Sequence, residues 1–501
     1  MKITLSLRRN LLHRRFSCQK ARSGYVHNFH YTPYLPTIRN VYILLLFVGR
    51  KAMEIYMKAG YAKVCINPPY GAPVVGYYEE RLTKGMLDSI YARAVAFDDG
   101  EKQAVVIALD LCTLAQVYFD RFKEAVAEAT GLDKDAIFIN LSHTHTGPLV
   151  GKDFASEKRS TEAYDEFLTT SIRDAAIYAL ADLAESTMET AQSEAKNISF
   201  IRRYRMKDGY VATNPGVKNP NIDHPLGTPE ETVKLLKIKR DGADDIALVN
   251  FGTHPDCVGG EYISADYIGY VCSILEDAIP GTKAIFLQGF QGDVNHVNVN
   301  PTPGEAAIST IDFDSVPRSI RHAEHMGRII AGAVLSVYSI TEPVKTDKIS
   351  YASKRVELPS HQENDRLDEA RKICEYYDSG RKAELPYKEM ELTTAVAEAR
   401  RIVKLENGPE SFPFFLSAIK LGDLAIAGIG GEPFVDIGRR INALSPFDST
   451  ILCALTNSAG GYIPTSSAYN EGGYEARGSS LAAGGDDIIV NGMMELFKEL
   501  A

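Results

Sequence analysis

At 501 residues, 45% hydrophobic and 24% charged, the chain has ordinary globular composition, far from the charge-rich regime of disorder. A formal net charge of −10, with no Lys/Arg run beyond the first 25 residues, excludes a nucleic-acid footprint, which needs a basic face. Seven scattered cysteines without a CxxC pair exclude a disulfide framework or a thiolate zinc knuckle and point to a reducing compartment, the cytoplasm.

Residues 1–52 are basic and unpatterned. Their apolar run VYILLLFVG (41–49) is far below the ~20 residues that span a bilayer, and it lies too deep in the chain for a signal peptide. No transmembrane segment is expected. From Met53 onward the text is strongly patterned, so 1–52 reads as a non-native or disordered extension and 53–501 as one catalytic domain. A mature species containing residue 20, seen by mass measurement, would overturn that reading.

Short runs rich in Val and Ile predict strands at 61–66, 89–97, 103–109, 136–142, 196–201, 246–252, 283–288, 349–357, 414–420, 424–429 and 450–455. Helical periodicity falls between many of them, at 114–130, 162–186, 264–278, 318–340, 386–406, 433–443 and 486–500. The alternation predicts an α/β fold with mixed β-sheets covered by helices, in a single layered domain. No internal repeat is visible. The charged stretch 361–408 reads as a solvated helical hairpin broken at Pro386.

Four segments share one pattern, an apolar strand followed by a sharp polar turn: FINLSHTHTGP (138–148), ALVNFGTHPDCVGG (247–260), AIFLQGFQGDVNHVN (284–298) and LAIAGIGGEPFVDIGRR (424–440). Groups at strand ends of an open α/β sheet converge on one rim, so four such turns suggest one site. Taken singly, each histidine is more often structural than ligating. His143 and His145 project to the same side of an extended segment, about 6–7 Å apart, so one can bind a metal while the other faces a substrate. His254 lies in a Gly-rich loop, and Glu432 sits at a strand-to-helix elbow before Pro433. Two imidazoles and a carboxylate form the three-ligand set of a catalytic zinc with an open position. Iron, manganese or cobalt also fit such a set. Asp293 and Asp110 are candidates for orienting ligands or substrate, although Asp110 equally suits a turn cap. No G-x-S-x-G elbow, phosphate loop or H-E-x-x-H helix competes.

In the order of these segments, together with IRRY (201–204), ISADYIGY (263–270) and NSAGGYIPTSSAYNEGGYEARGSS (457–480), the chain resembles the catalytic domain of the neutral/alkaline, non-lysosomal ceramidase family across most of 57–485. The resemblance implies amide hydrolysis at one zinc ion held by His143, His254, Glu432 and Tyr462. It also implies that His145 and Arg203, or its neighbour Arg202, stand beside the scissile amide. It further implies a serine in the turn before the GDV segment, where this chain has Gln288 and Gly289, and an immunoglobulin-like domain and export signal that these residues do not show. The expectation is therefore a zinc-dependent amidohydrolase, with an ester as a possible alternative substrate, working through metal-activated water on a soluble or small amphiphilic amide rather than membrane ceramide. True ceramidase activity, or an inactive metal-stabilised binding protein, are the alternatives.

Overall fold

Runs such as YARAVAFD and QAVVIAL are small or β-branched at nearly every position, which suits strands covered on both faces. In the computed structural model, which describes residues 57–151 and 161–501, they are buried along almost their whole length. Residues Ile55–Ala501 cluster as one unit, and the reading of 1–52 lies outside the described residues.

The chain begins with β1 (Lys58–Cys65), β2 (Tyr91–Asp98) and β3 (Gln103–Leu109), then crosses by α1 (Gln116–Thr130) to β4 (Ile137–Leu141). β1–β2 and β2–β3 pair antiparallel, whereas β3–β4 is parallel. After α2 (Glu162–Ala181) the same succession returns with β5 (Ala184–Glu194), β6 (Thr232–Arg240), β7 (Asp245–Phe251), α3 (Asp266–Ala278) and β8 (Thr282–Gln288). Two antiparallel pairings and one parallel pairing again follow one another. Helix α4 (Ile320–Val337) and strand β9 (Glu342–Val344), which pairs with β5, close this part. A third succession comprises β10 (Ile349–Pro359), β11 (Ser411–Leu421), β12 (Leu424–Ile429), α7 (Val435–Leu444) and β13 (Ser449–Cys453), followed by α8 (Gly485–Leu500). Between β10 and β11 stands a helical pair, α5 (Leu367–Asp378) and α6 (Glu389–Leu405).

One β-β-β-α-β unit therefore occurs three times. The first two units join through β1 and β5 into a nine-stranded sheet, and the third forms its own four-stranded sheet. Apolar residues of all three, among them Val95, Phe138, Leu248, Ile285, Ile419 and Ile426, form one core. The mixed α/β architecture is the one expected.

Two departures have physical causes. The helix predicted over 162–186 ends at Ala181 because the Asp182 carboxylate accepts from the Tyr61 amide at 2.9 Å and the Arg240 guanidinium at 2.5 Å, turning the chain into β5. The charged hairpin is only partly solvated. Helix α6 buries Glu398, which receives Arg477 at 2.6 Å and Arg366 at 3.3 Å, together with Ala395, Val396, Ala397 and Ala399.

Candidate metal centre

The four strand-end turns meet. Beyond β4 the chain stays anchored by amide hydrogen bonds from Ser142 to the Leu109 carbonyl and from His143 to the Leu111 carbonyl, each 2.8 Å. His143 has φ 69°, a left-handed conformation that any residue with a Cβ adopts at a cost and that clusters at functional sites. Its Nδ1 lies 2.8 Å from the Cys112 carbonyl and can only donate there, so Nε2 keeps its lone pair. Beyond β7, His254 repeats the arrangement, with Nδ1 3.1 Å from the Gln291 carbonyl. Beyond β12, Gly431 (φ 74°) turns the chain so that Glu432 pairs in parallel register with Tyr462.

These three loops deliver lone pairs to one point. The Nε2 atoms of His143 and His254 lie 3.3 and 3.2 Å from the same Glu432 oxygen, Oε2, and all three side chains are buried. The His145 Nε2 stands 3.3 Å from that of His143. Two bare imidazole nitrogens facing a carboxylate repel unless a proton or a cation lies between them, and His254 Nε2 and Glu432 Oε2 have no hydrogen-bond partner. With no cation present, electrostatics place a proton there. Burial works against charge on His143, yet Glu432 beside it lifts its pKa well above the ordinary range. Burial and Arg202 push His254 down to about 4. The donor set suits zinc or another divalent ion, held between strand ends from all three units.

Tyr462 stacks on His254 with ring centroids 6.3 Å apart. Burial raises its phenol well above the usual value, and the Arg202 guanidinium, 5.1 Å over its ring and hydrogen-bonded to it, opposes that rise. Arg202 also pairs with buried Glu475 at 2.6 Å and donates to the Gly292 carbonyl at 2.7 Å. Arg203 points elsewhere, to Glu471 at 3.0 Å and the Gly472 carbonyl at 2.8 Å. Of the two neighbours, it is thus Arg202 that reaches Tyr462. Asp293 is buried and accepts from the Val435 amide, the first residue of α7, at 2.8 Å. It braces the helix that follows Glu432. Asp110 is taken by Arg93 at 2.8 Å in a buried pair. Gln288 bonds the Thr253 carbonyl and Tyr267, and Gly289 is pressed against the Gly252 backbone, so neither presents a nucleophile.

A group not singled out from sequence completes the centre. Asp256 lies 3.5 Å from His145 Nδ1 and accepts from Tyr77 at 2.7 Å and from Arg318 at 3.0 and 2.7 Å. Burial alone would raise its pKa, but Arg318 holds it well below the carboxylate range. His145 is driven down by burial. A neutral imidazole thus has one nitrogen toward an anion and the other toward the ligand cluster.

This architecture is that of the neutral ceramidases, a mixed α/β layered fold. The crystal structure of neutral ceramidase from Pseudomonas aeruginosa superposes with TM-score 0.66 at 17% identity, covering 89% of this chain and 75% of that one. A ceramidase structure described as complexed with C2 gives TM-score 0.65 at 16% identity over the same shares. No family model matches the sequence.

Proposed function

We propose that the chain is a metal-dependent amidohydrolase whose cation is held by His143, His254, Glu432 and Tyr462, with zinc the ion of choice. The observation that carries this reading is the convergence of two bare imidazole nitrogens on one buried carboxylate oxygen, with a third imidazole on their rim. A divalent ion in such a set supplies a Lewis acid for the carbonyl and lowers the pKa of water.

The remaining work falls to the chain. His145, neutral and aligned by Asp256, takes a proton from water at Nε2 and returns it to the leaving amine. Arg202 keeps a fixed positive charge beside Tyr462, easing charge on the phenol oxygen and on an oxyanion nearby. Arg203 and Asp293 hold the loops that carry these groups. The substrate is an amide in a small or amphiphilic molecule. Among the described residues no helix is long and apolar enough to cross a membrane. The six cysteines described are unpaired, which supports a cytoplasmic, reducing setting.

The test is His254→Ala, which is expected to lose one equivalent of bound metal, measured by elemental analysis, together with turnover on a panel of short-chain ceramide and water-soluble N-acyl amides. Full activity in metal-stripped protein would end the proposal.

A further inference from the structure

A second cluster of ligating atoms lies apart from the triad. Cys257 Sγ and one ring nitrogen each of His296 and His322 fall within 4.8 Å of one another. They come from the loop after His254, the loop after Asp293 and the first turn of α4. Cys257 and His296 are buried, at 0% and 1% exposure.

The hydrogen bonding leaves the imidazole nitrogens of this cluster without work. His296 Nε2 faces the Pro317 carbonyl at 2.8 Å and must donate there, so its Nδ1 is a buried lone pair with no partner. Neither ring nitrogen of His322 has a partner of good geometry, although the His296 carbonyl stands nearby. The two rings are 5.0 Å apart. Burial pushes His296 down to about 4 and His322 to about 3, so both are unprotonated at neutral pH. The Cys257 thiol faces Met326 Sδ at 3.1 Å and is hydrogen-bonded to the buried Asp266 carboxyl. Unpartnered imidazole nitrogens of two histidines, beside a buried thiol, point to a missing partner.

We infer that Cys257, His296 and His322 form a second, structural metal site, selective for a thiolate-accepting divalent ion of the zinc class. A tetrahedral shell with Zn–S and Zn–N bonds of ordinary length places its ligands roughly 3.5 Å apart, so atoms that now lie within 4.8 Å of one another need close in by about 1 Å at most on binding. The fourth position faces a cavity of about 80 Å³ lined by His325, Asn298 and Glu305. Its volume takes a water molecule. The Cys257 thiol, pushed up by burial and by Asp266, loses its proton to solvent when the ion's charge compensates it. Such an ion ties together the loops bearing His254, Asp256 and Asp293 with the start of α4, and stiffens the catalytic rim from behind.

Sulfur separates this site from the triad, which has none. Cobalt(II) titrated into metal-free full-length protein is expected to give a sulfur-to-cobalt charge-transfer absorption whose plateau corresponds to one sulfur-ligated cobalt per chain and which is bleached by added zinc. Cys257→Ser and His322→Ala should abolish it, with circular dichroism confirming their fold. Cys112→Ser and His254→Ala should retain it. Absence of the absorption in wild type, its survival in Cys257→Ser, or its loss in Cys112→Ser alone overturns the inference. Failure of the triad as a metal site leaves this absorption untouched, so the two readings fail separately.

Discussion

Asp256 shows how a residue without a motif governs one that has it. Its carboxylate is fixed by Arg318 and Tyr77 and leaves one oxygen toward His145. Asp256→Asn is expected to lower kcat by about 10- to 100-fold, with the fold kept by the remaining Arg318–Asp314 pair; unchanged kcat would remove Asp256 from the mechanism. Asp293 allows a stability test with a definite sign. Its pKa is raised by burial from 3.8 to about 6, so the native state holds a proton that the unfolded chain has released. Stability contributed by this group is therefore lost as pH rises through the window from about 4 to 6. Asp293→Asn keeps an acceptor for the Val435 amide, and in metal-free protein its stability relative to wild type should rise by about 2–3 kcal/mol from pH 4 to pH 7. Urea titrations at the two pH values read that difference. His143, His145, His254 and Glu432 were legible because each lies in a short turn directly after an apolar run. The Asp256–Arg318 contact spans 62 positions and leaves no local trace. Arg202 lies in the break between the short strands Phe200–Ile201 and Arg203–Met206, and sequence alone could not say which of the two arginines reaches Tyr462.

Strands with continuous Val and Ile runs were predicted within a few residues of their observed limits. The edge strand β9 was not predicted, and of the run 196–201 only Phe200–Ile201 is a strand; the two long misses, β5 (AESTMETAQSE) and β6 (TVKLLKIKR), are central to the large sheet yet polar at alternate or scattered positions. β5 buries only Ser186 and Met188 fully, and it gains its place from eleven consecutive backbone positions facing β1, β6 and β9 rather than from apolar side chains. The turns between elements are set by clearance. A Cβ on Gly292 would stand 2.2 Å from the Glu432 carbonyl oxygen. Gly292→Ala should therefore displace the Glu432 loop, costing about 1–3 kcal/mol of stability and most of the bound metal. Thermal melting and metal content checked together distinguish this from simple surface tolerance.

Across the whole molecule, the recurring β-β-β-α-β unit left no trace in the sequence because it asks only for apolar strands and a helical crossover, which many residue choices satisfy. What joins the units is polar and buried. Asn140, at the end of β4, donates to the Ala454 carbonyl at 2.6 Å and accepts from the Gln288 amide at 2.8 Å, linking all three units. Asn250 donates to the Leu287 and Leu452 carbonyls, and Asn457 to the Ile137 carbonyl. Asn140→Ala leaves buried backbone groups unpaired and is expected to cost about 2–4 kcal/mol, read as a shifted denaturation midpoint. The same threefold construction distributes the ligands: His143 hangs from the first unit, His254 from the second, Glu432 and Tyr462 from the third. No unit owns two imidazoles of the triad. A cation bound there would thus be a census of the assembled chain, and any drift in how the three units dock would be felt first as weakened affinity, before unfolding is visible. A centre built this way demands quaternary-like order within one polypeptide.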